Sequence, residues 1–214
     1  MGRMRRALGA AWVCAAMGLG PVMAGQAAAS AISSGVPATT DEASTLVGWI
    51  AHSRDNAGLP FAVVDKKAAR IQVFDAKGRL AGSSPVLLGQ AIGDDSAPGV
   101  GEHAQTGDVP FEERTTPAGR FESEPGLNSH GESVVWVDYE AAFAIHRLRP
   151  GASRVPREVR LASPTPADRR VSYGCVVVPE SFYKSVVQRV LGHGRSVVYV
   201  LPEVRAAQEI FGGL

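Results

Sequence analysis

The stretch RRVSYGCVVVPESFY, Arg169 to Tyr183, decides how the rest of the chain is read. Cys175 follows a glycine and precedes three valines and a proline. Gly174 lets the backbone turn tightly or lets another group approach closely. The valine run reads as a short strand. Pro179 then fits the first turn of a helix whose apolar face is Phe182, Val186, Val187 and Val190, with Gly192 as its stop. Such a passage can present a thiol, and a helix N-terminus pointing back at it favours the thiolate. The competing reading is a small buried hydrophobe, because free cysteine is among the most buried residue types.

Working outward, the chain has 214 residues, 45% hydrophobic and 20% charged, an ordinary globular balance. The net charge of +1 owes much to Arg3, Arg5 and Arg6; without them 19 basic residues face 21 acidic ones. No basic stripe remains, so nucleic acid is not an expected partner. The opening has a basic start, an apolar run from Ala7 to about Leu19, and then small residues, as an export signal does. Val22 and Ala24 suit its cleavage site, giving a signal over 1–24, with Ala27 to Ala29 as a later alternative and an uncleaved anchor as the rival. Cleavage removes Cys14 and leaves Cys175 alone, so no internal disulfide can form. A lone thiol in an oxidising compartment must be buried or used.

Residues 25–58 read as a linker of Ala, Ser and Gly followed by a short helix, capped at Thr40 or Asp41, with Leu46, Val47 and Ile50 on one face. The segment 59–204 reads as the main domain, and 205–214 as a tail with a short helix. Three apolar runs after Pro60, split by turn residues, predict a β-meander. The Gly-, Pro- and Asp-rich segment that follows predicts a long surface excursion. ESVVWVDYEAAFAIHRL supplies two strands, PGASRVPREVRLASPTPADRR a loop, and SVVYVLP a last strand. The fold class is mainly β, with one helix packed behind the cysteine and one near the N-terminus.

A thiol with a pKa near 8.5 needs a base. His52, His103, His130 and His193 lie in a helix, polar loops or a Gly-rich turn, and read as surface residues without metal-ligand spacing. His146 differs, because it closes the apolar strand AAFAIH. No cofactor motif is present.

His146, a loop, then Ser172-Tyr173-Gly174-Cys175-Val176-Val177 resembles the exported L,D-transpeptidases with a YkuD-type catalytic domain. That family's pattern is a histidine at a strand end, then Ser/Thr-His-Gly-Cys, a hydrophobic residue, and Asn or Arg. TTPAGRF, Thr115 to Phe121, looks like its Thr-Pro-x-Gly-x-Phe element, which leads into the strand beside the cleft. The resemblance spans roughly Pro60 to Pro202. It implies a β-sandwich with the cysteine in a cleft, and an envelope or periplasmic enzyme acting on peptidoglycan stem peptides. Cys175 would be the nucleophile and His146 the base, oriented by the Arg147 carbonyl. Backbone N–H groups at Gly174 and Cys175 would stabilise the oxyanion. Thr116, Pro117, Gly119 and Phe121 would lie along the substrate. The acceptor stays open among a second stem, a lipoprotein lysine and water, and a non-catalytic wall-binding protein is the rival from another class.

The departures from the pattern are specific. Tyr173 stands where the family has its second histidine, and a phenol is a poor base at neutral pH. Val177 replaces Asn or Arg, and Arg147 replaces a frequent glycine. Ser172 reads as a turn-shaping residue. The long segment from Arg147 to Val171 carries Arg149, Arg154, Arg157, Arg160, Arg169 and Arg170, which either overhang the cleft to meet carboxylates or are a solvated charged loop.

Overall fold

The structure is a computed structural model and describes residues 40–151 and 154–214. The expected signal segment and most of the linker lie outside the described residues. The strands are β1 (Phe61–Asp65), β2 (Arg70–Phe74), β3 (Leu80–Pro85), β4 (Leu88–Gly89), β5 (Gly119–Leu127), β6 (Ser133–Asp138), β7 (Phe143–Arg147), β8 (Arg170–Ser172), β9 (Val176–Val178) and β10 (Ser196–Val200). Eight of them form one mixed sheet in the order β3-β2-β1-β10-β5-β6-β7-β9, and β4 pairs with β8. The meander is β1-β2-β3, antiparallel throughout.

β5 makes the bend. Its first half, Gly119 to Ser123, pairs with β10, and its second half, Glu124 to Leu127, pairs with β6. Past the end of β3, Leu87 forms an antiparallel bridge to Val177 of β9, bringing the sheet's two edges together. The two halves therefore face each other across one apolar core, a β-sandwich. Val64, Ile71 and Val73 from one half meet Val135, Ile145 and Val176 from the other, with Tyr183, Val187 and Leu191 beside them. Tyr183 and Val187 come from the helix after the cysteine, which runs over 180–190, and Leu191 directly follows it. It opens at Glu180–Phe182, widens into a π-turn at Tyr183–Val187 and closes at Gln188–Val190.

Helix α1 (Asp41–Ser53) is capped by Thr40, whose Oγ1 accepts the Ala43 N–H at 3.2 Å. Its buried Ala43, Leu46 and Ile50 pack with Phe61, Val63, Tyr199 and Leu201, and a C-terminal helix Ala207–Phe211 joins the same cluster through Ala207 and Phe211. Residues read as a helix beyond the linker and as a tail thus cover one face of the sheet.

Two expected loops contain helices. The surface excursion holds α2 (Val100–Thr106), and the arginine-rich loop holds α3 (Arg154–Ala162). Apolar spacing hid α3, because Leu161 is its one buried residue while Val155 and Val159 face solvent. Pro156 falls within its first turn, where proline is tolerated. Leu161 packs with Leu87, Leu148 and Val177 in a small separate cluster. Among the described residues no helix is long and apolar enough to cross a membrane.

Candidate active site

β7 and β9 are parallel neighbours, with His146 opposite Val177 and Ile145 opposite Val176. The end of β7 and the turn before β9 therefore meet at one edge. His146 and Cys175, 29 positions apart in the chain, line the same cleft of about 890 Å³. The Cys175 thiol donates to the Ala142 carbonyl at 3.4 Å. Ala142 has a left-handed φ of 53° and ends the β6–β7 turn. α2 sits directly on that turn: a Cβ at Gly101 would lie 1.8 Å from the Glu140 carbonyl oxygen.

The cysteine turn is fixed by polar bonds. Ser172 Oγ donates to the Cys175 carbonyl at 2.7 Å and accepts the Gly174 N–H at 3.2 Å. Gly174 has φ 131°, and a Cβ there would lie 2.7 Å from the Thr115 carbonyl oxygen, so this position requires glycine. Thr116 Oγ1 donates to the Gly174 carbonyl at 2.8 Å and accepts the Gly89 N–H at 2.9 Å. Behind it, the buried Lys66 donates to the carbonyls of Thr116 (2.8 Å) and Gly93 (2.6 Å) and to Asp94 (2.7 Å). A fixed ammonium thus braces the loop that braces the cysteine turn. The Gly174 N–H is taken by Ser172, whereas among the described residues no acceptor engages the Cys175 N–H.

The imidazole has one defined orientation. His146 Nδ1 lies 2.9 Å from the Arg147 carbonyl oxygen. A carbonyl can only accept, so Nδ1 carries the proton and Nε2 keeps its lone pair. Burial pushes the imidazole pKa down to about 4, with the Arg149 charge acting the same way and the Arg147 bond opposing. Burial pushes the Cys175 thiol up, against the Ala144 backbone and the Arg149 charge. Both shifts favour the uncharged forms, thiol and imidazole, in the resting site.

The remaining candidates are placed unevenly. Thr116 is fully buried and acts on the Gly174 turn, and none of Thr116, Pro117, Gly119 and Phe121 lines the cleft. Phe121 packs edge-on against Phe143 at 5.6 Å. Tyr173 is exposed, with the Arg114 guanidinium 4.3 Å from its ring centroid. Val177 is buried under α3. Of the six loop arginines, Arg149 lines the cleft. Arg169 is buried on the Ala68 and Ala69 carbonyls, Arg170 pairs with Glu203, and Arg154 pairs with Glu158 and Glu180. Sequence reasoning missed the Ala142 carbonyl and the Lys66 brace, neither of which leaves a local signal. It also missed Trp136 and Tyr139, an edge-to-face pair at 5.0 Å on the cleft wall. Among the described residues no group of three or more His, Cys, Asp or Glu side chains converges as a metal site needs.

No protein-family model matches the chain, and no curated protein matches it. Solved structures it is similar to include L,D-transpeptidases. One, solved in complex with imipenem, is 14% identical, with 66% of this chain and 58% of that chain covered and a TM-score of 0.41. One from Xylanimonas cellulosilytica is 15% identical, covering 66% and 60%, at 0.40. The catalytic domain of an E. faecium enzyme is 17% identical, covering 66% and 96%, at 0.36. The chain spans 49% to 60% of the longer solved chains. At these scores neither activity nor substrate transfers to this chain.

Proposed function

We propose that this chain is a cysteine acyltransferase of the L,D-transpeptidase type, exported by its first 24 residues to the cell envelope, with its catalytic domain over 59–204. The observation that carries the reading is the His146 Nδ1 bond to the Arg147 carbonyl, which leaves Nε2 as a base in the cleft that holds Cys175. The sequence resemblance supplies the substrate class, peptidoglycan stem tetrapeptides.

The chemistry is general-base attack rather than attack by a preformed thiolate. Cys175 Sγ bonds to the carbonyl carbon of the third residue while its proton passes to His146 Nε2. The Cys175 N–H donates to the oxyanion. Nε2 then returns the proton to the departing terminal D-alanine amine as the C–N bond breaks, leaving a thioester. An amine on a second stem attacks, gives its proton to Nε2, and expels the thiol, which takes that proton back.

The test incubates the protein with disaccharide-tetrapeptides and resolves products by mass spectrometry, beside Cys175→Ala. Dimers one D-alanine short, absent from the variant, are expected. Tripeptide monomers would assign water as the acceptor and make the protein a carboxypeptidase. Retention on peptidoglycan by a folded protein without any cysteine-dependent product would reject catalysis in favour of binding.

A further inference from the structure

The cleft lining is almost free of charge. Among the described residues that line it, Arg149 is the one arginine, and no lysine, aspartate or glutamate is present. Arg149 is also incompletely neutralised. Its Nε lies 2.9 Å from Glu132, but that carboxylate is shared with Arg147 at 2.9 Å and with the Asn128 amide at 3.1 Å. One negative charge thus serves two guanidinium groups, and Arg147 reaches a second carboxylate, Glu180, only at 3.7 Å. The enclosed Arg149 Nε finds no acceptor in hydrogen-bonding alignment. The side chain remains 41% exposed, and its charge acts on both His146 and Cys175. A guanidinium held at one edge by a shared carboxylate keeps donors free for a planar anion.

We propose that Arg149 receives a carboxylate of the acyl donor beside Cys175, so that the cleft selects anionic peptides over their amides. This rests on the acyl-transfer reading for the identity of the donor. Two carboxylates of a stem tetrapeptide lie near the scissile bond: the C-terminal one on the leaving residue, and the side-chain one of a third-residue diamino acid. The chemistry at Arg149 is the same for both. Val177 is buried under α3 and does not line the cleft, whereas Arg149 does.

The test is calorimetric binding to the full chain carrying Cys175→Ala. Three disaccharide-tetrapeptides are compared: the free acid, the C-terminal amide, and the third-residue side-chain amide. Amidating the recognised carboxylate is expected to weaken binding about 10- to 100-fold, the range for a hydrogen bond to a charged group. The weakened peptide identifies which carboxylate is read. Adding Arg149→Gln should bring the free acid down to the same affinity and abolish discrimination, while Arg149→Lys restores part of it. Equal affinity for all three peptides, no binding of any, or an equal loss on all three in Arg149→Gln would each overturn the inference. Products from the unmutated chain are scored separately. Discrimination without products overturns catalysis and keeps the carboxylate site; products without discrimination do the reverse.

Discussion

Two ionic clusters flank the cysteine turn, and they are built on opposite terms. In the first, Lys66 is 1% exposed, and its three donors go to Gly93, Asp94 and Thr116. Burial alone would raise the Asp94 carboxyl, but Lys66 and the N–H groups of Arg205 and Glu203 hold it well below the usual carboxylate range. In the second, Arg149 and Arg147 share Glu132 at the cleft mouth, part exposed and short of acceptors. A fully desolvated charge must be saturated by its own protein and so serves as a fixed point. A charge at the mouth can stay under-partnered because water completes its shell until a ligand does. The buried cluster positions backbone; the open one faces the cleft.

The largest effect expected lies between the clusters, at the pair they flank. His146→Ala should lower kcat/KM for tetrapeptide turnover by about 10²–10⁴-fold, the usual contribution of a general base, with an unchanged melting temperature. Equal activity in the variant would remove His146 from the mechanism.

Next is the buried cluster. Lys66→Met strands a desolvated carboxylate and should cost about 3–5 kcal/mol, a fall in Tm of roughly 6–20 °C, read by thermal unfolding. Arg149→Gln should move Tm by no more than about 2 °C, as expected for a surface pair. Similar shifts in the two variants would erase the contrast between the clusters.

Smaller effects follow at the covered end of the cleft and along the brace. Val177→Asn puts an amide among Leu87, Leu148 and Leu161 and should destabilise by about 1–3 kcal/mol. A gain in turnover without that loss would mean position 177 faces substrate after all. Thr116→Val strands the Gly174 carbonyl and the Gly89 N–H at about 1–3 kcal/mol. It should also lower kcat more than it changes KM, with Thr116→Ser restoring both.

The pH profile gives the finest test. His146 must be neutral to take the proton, so activity holds above its pKa and is lost as pH falls through about 4. An unperturbed histidine would place that limb near about 6.5. The raised thiol moves the alkaline limb of Cys175 alkylation above the ordinary thiol range. A limb at about 6.5 in kcat/KM would show the imidazole better solvated than its burial implies.

Much of the fold was legible because period and punctuation agreed. FAVVD and RIQVF became β1 and β2, AAFAIH supplied β7 with the histidine one residue before its end, and the helix after Pro179 formed on the valine face that its spacing predicts. α3 was not legible, since a helix with one buried residue has no apolar period to show. Thr116 belongs to the motif that the resemblance sets along the substrate; its hydroxyl instead turns inward, where it serves the Gly174 carbonyl and the Gly89 N–H.

The sequence by itself determined a mainly β chain, a glycine-held cysteine before a helix, and one histidine at a strand end. Those follow from local chemistry: backbone freedom, side-chain period and turn residues. Tertiary structure alone decided that β7 and β9 would be parallel neighbours, so that residues far apart in the chain share one cleft. It also decided which of six arginines reaches that cleft, and that Lys66 would hold the turn from behind. Pairing, burial and charge saturation depend on what the chain brings together from a distance, and no local stretch contains that information.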